Sequence, residues 1–178
     1  MIAFILCLAL CGPGLPHHPP NVMHADQSNL AETVKQQAEV MGQAFMKGDY
    51  KTFAHYTYPQ IIRMMGGEKV LTTQLVKITN NMKEQGMTFS SIGFGDVSKI
   101  EKKNGQLQCT IPQHTTIKVP TGRAVSTSTL IAISTDAGKS WTFVDTSNKD
   151  IATIRKLLPD LSPAIVIPPQ QPPVRYND

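Results

Sequence analysis

Apolar and polar positions change their period near the middle of the chain. From Leu30 onward, Val34, Ala38, Met41 and Phe45 recur every three to four residues, which predicts one apolar stripe on a long helix. Asn29 with Glu32 reads as a capping box that opens this helix. Gly48, free to adopt positive φ, closes it. Asp49 is placed to cap a shorter helix through Tyr50, Phe53 and Tyr56. Pro59 is expected to stop that helix, because proline steers the residue before it away from helical backbone. Residues 60–65 fit either a short strand or a helical turn. Gly66-Gly67 breaks the chain, and a third helix then carries Leu71, Leu75, Ile78 and Met82 on one face.

Beyond Gly86 the alternation becomes strand-like. Asn104-Gly105 is a strong hairpin signal, since both turn positions need positive φ. It joins a strand predicted over 88–100 to another over 107–119. Pro120-Thr121-Gly122 turns the chain into a strand over 124–134, and the residues 136–139 turn it into a fourth over 140–146. A last helix is expected over 150–158. The expectation is an α+β fold with N-terminal helices packed on a curved four-stranded antiparallel sheet, and a short C-terminal helix. The first and third helices are expected to cover one face of that sheet.

The ends carry different signals. Ile2 to Cys11 is an unbroken apolar run, too short for the ~20 residues a membrane-crossing helix needs. It fits the apolar part of a signal peptide, read as residues 1–25 with cleavage after Ala25, so the chain is expected to be exported, periplasmic or secreted. Residues 26–158 then form a single α+β domain. Residues 159–178 carry Pro163, Pro168, Pro169, Pro172 and Pro173, and are expected to be extended rather than packed. Cys109 is the single cysteine after the leader, which excludes an intramolecular disulfide in the mature chain. A net charge of +4, with scattered lysines, offers no basic patch with interleaved aromatics, so nucleic acid is not an expected partner.

The helix ending Met46-Lys47-Gly48-Asp49-Tyr50, with Phe53 and the Gly66-Gly67 break, resembles the nuclear transport factor 2-like superfamily, which includes ketosteroid isomerases and SnoaL-type cyclases. The chain is similar to exported bacterial members of that group over most of residues 29–146. The resemblance implies a cone with a pocket at its mouth. Because the superfamily holds enzymes, binding modules and assembly domains, it does not by itself imply an activity. A second likeness is shorter. Ser134 to Trp141 matches the Asp-box pattern Ser-x-Asp-x-Gly-x-Ser/Thr-Trp, in which Asp136 accepts local N–H bonds, Gly138 takes a strained turn position and Trp141 packs beneath. This reads as a structural turn, with a carbohydrate contact by Trp141 as the alternative.

The candidate pocket residues are Tyr56, Tyr58, Asp96, Gln113 and Thr115. Asp96 shares strand parity with Ile92 and Phe94, so it faces the pocket if they face the core, where an acid has a raised pKa and can move protons. Otherwise it is solvated beside Lys99. Gln113 and Thr115 interrupt an otherwise apolar parity of Leu107, Cys109, Ile111, Ile117 and Val119, which signals a polar opening in the core face. His55 and His114 lack a carboxylate at ligand spacing, so no metal and no cofactor is expected. Three readings follow. The first is a non-catalytic module for a small apolar or amphipathic ligand or a partner chain. The second is an isomerase or cyclase using Asp96 with a tyrosine. The third is an envelope or homodimer interface through the sheet face bearing Ser126, Thr127, Ser128 and Thr129.

Overall fold

The computed structural model describes residues 22–177. The predicted leader lies, up to residue 21, outside the described residues. Helix α1 spans Val22–Lys47, α2 Tyr50–His55, α3 Pro59–Met64 and α4 Glu68–Glu84. Strands β1 Thr88–Phe94, β2 Glu101–Lys103, β3 Gln106–Val119, β4 Gly122–Ser134 and β5 Thr142–Asp145 follow, then α5 Ile151–Leu157 and β6 Val174–Tyr176. The fold is α+β, with one open antiparallel sheet of six strands rather than four. Its path is β1-β3-β4-β5, with β2 pairing on β3 and β6 on β4.

The helix starts and stops differ instructively from the sequence expectation. Asn29 and Glu32 lie inside α1, where Asn29 O accepts from Thr33 Oγ1 at 2.9 Å and Glu32 Oε1 accepts from Gln36 Nε2 at 3.2 Å, so the pair is not a cap. Asp49 does cap α2, accepting from Thr52 N at 3.1 Å. Pro59 opens α3 instead of ending a helix, since a first-turn residue needs no N–H partner. Gly48, Gly66 and Gly67 all take positive φ at the breaks. On α4 only Leu71 is buried, and Ile78 is exposed. That helix packs mainly on α2 and meets the sheet chiefly at β1, so α1 rather than α4 supplies the main helical cover of that face. Gly42 makes the close approach possible: a Cβ there would sit 3.0 Å from the Phe94 ring.

The strand predicted over 88–100 is broken after Phe94. Pro112 of β3 lacks the N–H that the ladder needs on that edge. Gly95 N still donates to Pro112 O at 2.9 Å and Ser98 N to Thr110 O at 2.9 Å, but pairing resumes only at β2. Both turn residues of Asn104-Gly105 have positive φ, 50° and 78°, as a two-residue hairpin requires.

Both faces of the sheet are covered. On one, Val34, Ala38 and Met41 of α1 pack with Cys109, Ile111, Leu130, Ala132, Trp141 and Phe143. On the other, Ile131, Ile133 and Val144 pack with Ile154 and Leu158 of α5 and with Leu161 and Ile165 of the segment that follows. The C-terminal segment is therefore packed from Leu161 to Ile165, against expectation, while residues 168–177 stay exposed. Its prolines keep it out of helix, while Leu161 and Ile165 bury on the sheet and side chains answer the backbone around them. Gln108, fully buried, donates to Asp160 O at 3.0 Å and accepts from Ser162 N at 2.8 Å. Lys103 Nζ donates to Leu161 O at 2.9 Å, and Arg155 donates to the carbonyls of Ser162, Pro163 and Ile165.

Candidate functional site

Parity along β4 sorts its side chains. Leu130 and Ala132 face α1, whereas Ile131 and Ile133 face α5 and the C-terminal segment. Thr127 and Thr129 share the parity of the latter pair. Where the covering elements diverge, a groove of about 680 Å³ opens over these threonines. Its walls are the 146–150 turn on one side and residues 167–171 on the other, with Ile151 and Ile167 supplying apolar surface.

The walls are held from within. Thr146 donates from both N, at 3.1 Å, and Oγ1, at 2.8 Å, to Thr129 O. Asn148, at φ 59°, turns the chain away and donates its N–H to Gln170 Oε1 at 2.7 Å, which ties the two walls together. Asp150 caps α5 by accepting from Thr153 N at 2.7 Å, and this bond holds its carboxyl below the usual range. Thr127 itself is exposed, and its Oγ1 lies 3.0 Å from His114 Nδ1 across the strand pair. The groove thus combines hydroxyls and backbone polar groups with apolar surface on its two walls. That mixture suits an amphipathic ligand, with polar contacts fixing its orientation.

The five residues singled out as pocket candidates are not brought together. Tyr56 packs against the core under α1, while Tyr58 packs on the opposite face of the sheet. The two flank Thr57, which bridges to Phe143, with Phe143 N donating to Tyr56 O at 2.7 Å and Tyr58 N donating to Phe143 O at 3.0 Å. Asp96 is exposed in the irregular stretch after β1, because the strand whose parity would have turned it inward ends at Phe94. Gln113 and Thr115 do share the α1 side of β3 and form a pair, Gln113 Nε2 donating to Thr115 Oγ1 at 3.3 Å. None of these five lines the groove.

The Asp-box residues form a closed turn. Asp136 accepts from Ser134 Oγ at 2.8 Å, from Ser140 N at 3.0 Å and from Ser140 Oγ. The Ser140 bonds, followed by that of Ser134, hold its carboxyl down at about 2. Gly138 N donates to Ser134 Oγ at 2.9 Å, and the buried Trp141 donates Nε1 to Gly138 O at 3.1 Å. With its ring buried in the core and its indole N–H used inside the turn, Trp141 presents neither face nor edge to a sugar. Cys109 is buried among apolar residues, which pushes its thiol up to about 12 and removes its nucleophilic form at neutral pH. Among the described residues, no three His, Cys, Asp or Glu side chains are grouped to hold a metal ion. No described helix is long and apolar enough to cross a membrane.

Sequence reasoning named Thr127, Ser128 and Thr129 only as part of an interface face, and missed the groove residues Thr146, Ile151 and Ile167. The hydroxyl run 126–129 was the available signal, since it interrupts an apolar strand on both faces at once. A scan of the chain against protein-family models finds no match, and a search of curated proteins finds no significant one.

Proposed function

We propose that this chain is an exported, non-catalytic binding module that takes a small amphipathic ligand, or a short stretch of a partner chain, in the groove over Thr127 and Thr129. The observation that carries the reading is the groove: about 680 Å³ lined by hydroxyls and amides, with Ile151 and Ile167 giving apolar surface on its two walls and Asp150 engaged in capping α5. The exposure of Asp96, in the irregular stretch after β1 and outside the groove, counts against an isomerase or cyclase, because a general base must sit where it can reach the bound substrate. Membership of the nuclear transport factor 2-like superfamily is supported by the order of helices followed by an antiparallel sheet. In this reading, however, the site lies on the face opposite α1, outside the cone mouth. Export is supported by the apolar run at the N-terminus.

The test is a filling mutation. Thr129→Trp places an indole over the groove floor while leaving the backbone bonds of β4 in place. Binding of anilinonaphthalene sulfonate, an amphipathic dye, is followed by fluorescence in wild type and variant, with circular dichroism as the folding control. Dye binding lost in a folded variant supports the site. Equal binding in both proteins, or none in wild type, refutes it.

A further inference from the structure

The edge of β4 that faces β5 and β6 has a hole in it. Thr146 N reaches Thr129 O, so the odd residues of β4 direct their N–H and C=O toward this edge. The even ones serve β3, with which β4 pairs without a register break. Two of the odd positions, Arg123 and Val125, are answered by β6, paired with Tyr176 and Val174. Ile131 and Ile133 are answered by β5, paired with Val144 and Thr142. Thr127 falls between them. Extending the β6 register sets Pro172 opposite Thr127, and proline has no N–H to give its carbonyl. Extending the β5 register sets Asn148 there, but Asn148 has turned away to bond Gln170. Among the described residues, no backbone hydrogen bond joins Thr127 to a neighbour on this edge.

An exposed strand residue with both backbone groups unanswered, at the floor of a groove, is a template for one more piece of strand. We propose that this gap is a strand-addition site for a short extended peptide segment, which exchanges two backbone bonds with Thr127. The inference rests on the groove being the binding site and names its ligand class. Because Val125 is paired with Val174 and Thr129 O is taken by Thr146, one peptide residue pairs with Thr127 and its neighbours diverge into the groove. Ile151 and Ile167 receive an apolar side chain at one position, and the threonine and serine hydroxyls meet polar groups at its neighbours. The flanking prolines keep the gap from closing on the chain's own C-terminal segment, because they cannot complete the ladder.

The probe is a capped pentapeptide of alternating threonine and valine, added to the isotope-labelled full chain. Its fully N-methylated counterpart and anilinonaphthalene sulfonate are titrated separately. The expected result is that the plain peptide shifts the groove amides and slows exchange of the Thr127 amide about tenfold, the effect of one new hydrogen bond. The N-methylated peptide should do neither. Equal effects of both peptides would overturn strand addition. Dye binding without peptide binding would also overturn it, while leaving the groove as a binding site. Binding of neither would remove both readings together.

Discussion

Gln37 and Trp141 hold each other's elements in place across the chain. Trp141 N donates to Gln37 Oε1 at 2.7 Å, and Gln37 Nε2 donates to Lys139 O at 3.0 Å. One amide of α1 thereby clamps the β4–β5 turn, while the Trp141 ring fills the core beneath it. The Asp-box works here as a dock for a helix. Gln37→Ala should lower stability by about 1 kcal/mol, chiefly by leaving the part-buried Trp141 N–H without its partner. Urea unfolding measures this, and an unchanged midpoint would show that the clamp carries no weight.

Gly138 has the tightest surroundings among the glycines of the described residues. Its φ is 90°, and a Cβ would sit 2.1 Å from Leu30 Cδ2. Gly138→Ala should destabilise through both backbone strain and collision. Pairing it with Leu30→Ala relieves the collision only, leaving a backbone penalty of about 1 kcal/mol. A double-mutant cycle should therefore show favourable coupling; strict additivity would mean that the turn and α1 are not in contact.

Acid stability should depend on Asp136. Its folded pKa of about 2 lies below the ordinary 3.8, so its bonds stabilise the fold fully above that ordinary value. The contribution is lost as pH falls from 3.8 toward 2. Asp49 and Asp150 are lowered too, by their Thr52 and Thr153 bonds, so their contributions also fade on acidification below the ordinary carboxylate range. Asp136→Asn should flatten the pH dependence of the urea midpoint there without abolishing it. Parallel curves for the two proteins would contradict the assignment.

The C-terminal segment should behave as part of the core. Ile165→Ala removes a side chain that is 3 % exposed and should cost about 2–4 kcal/mol. Thermal unfolding tests this. A shift near zero would mean that the segment is not packed in solution.

Cys109 should resist thiol reagents in the folded chain. Burial with a thiol pushed up to about 12 predicts peptide-mapped labelling only in denaturant. Rapid native labelling at Cys109 would show that the core opens there.

How much was legible follows from where the signals live. Turns announced themselves, because Gly48, Asn104-Gly105 and Gly138 are residue types that positive φ demands. The α1 stripe was readable from Val34, Ala38 and Met41 because its period is local. The break after Phe94 was not, since its cause, Pro112, lies on the neighbouring strand. The burial of Leu161 and Ile165 was hidden for a similar reason. It depends on Gln108 and Arg155 answering that segment's backbone, contacts that no local pattern records. Asp96 was placed inward by extending a parity past the point where the strand ends. The groove escaped notice because it forms between two elements distant in sequence, the 146–150 turn and residues 167–171.

The most direct test of the account is a map of where a ligand lands. The isotope-labelled full chain is titrated with anilinonaphthalene sulfonate, and backbone amide shifts are followed. The account predicts that the largest changes cluster at Thr127, Thr129, Thr146, Asn148, Ile151 and Ile167. Changes centred instead on Gln113, Thr115 and the α1 side of the sheet would contradict it.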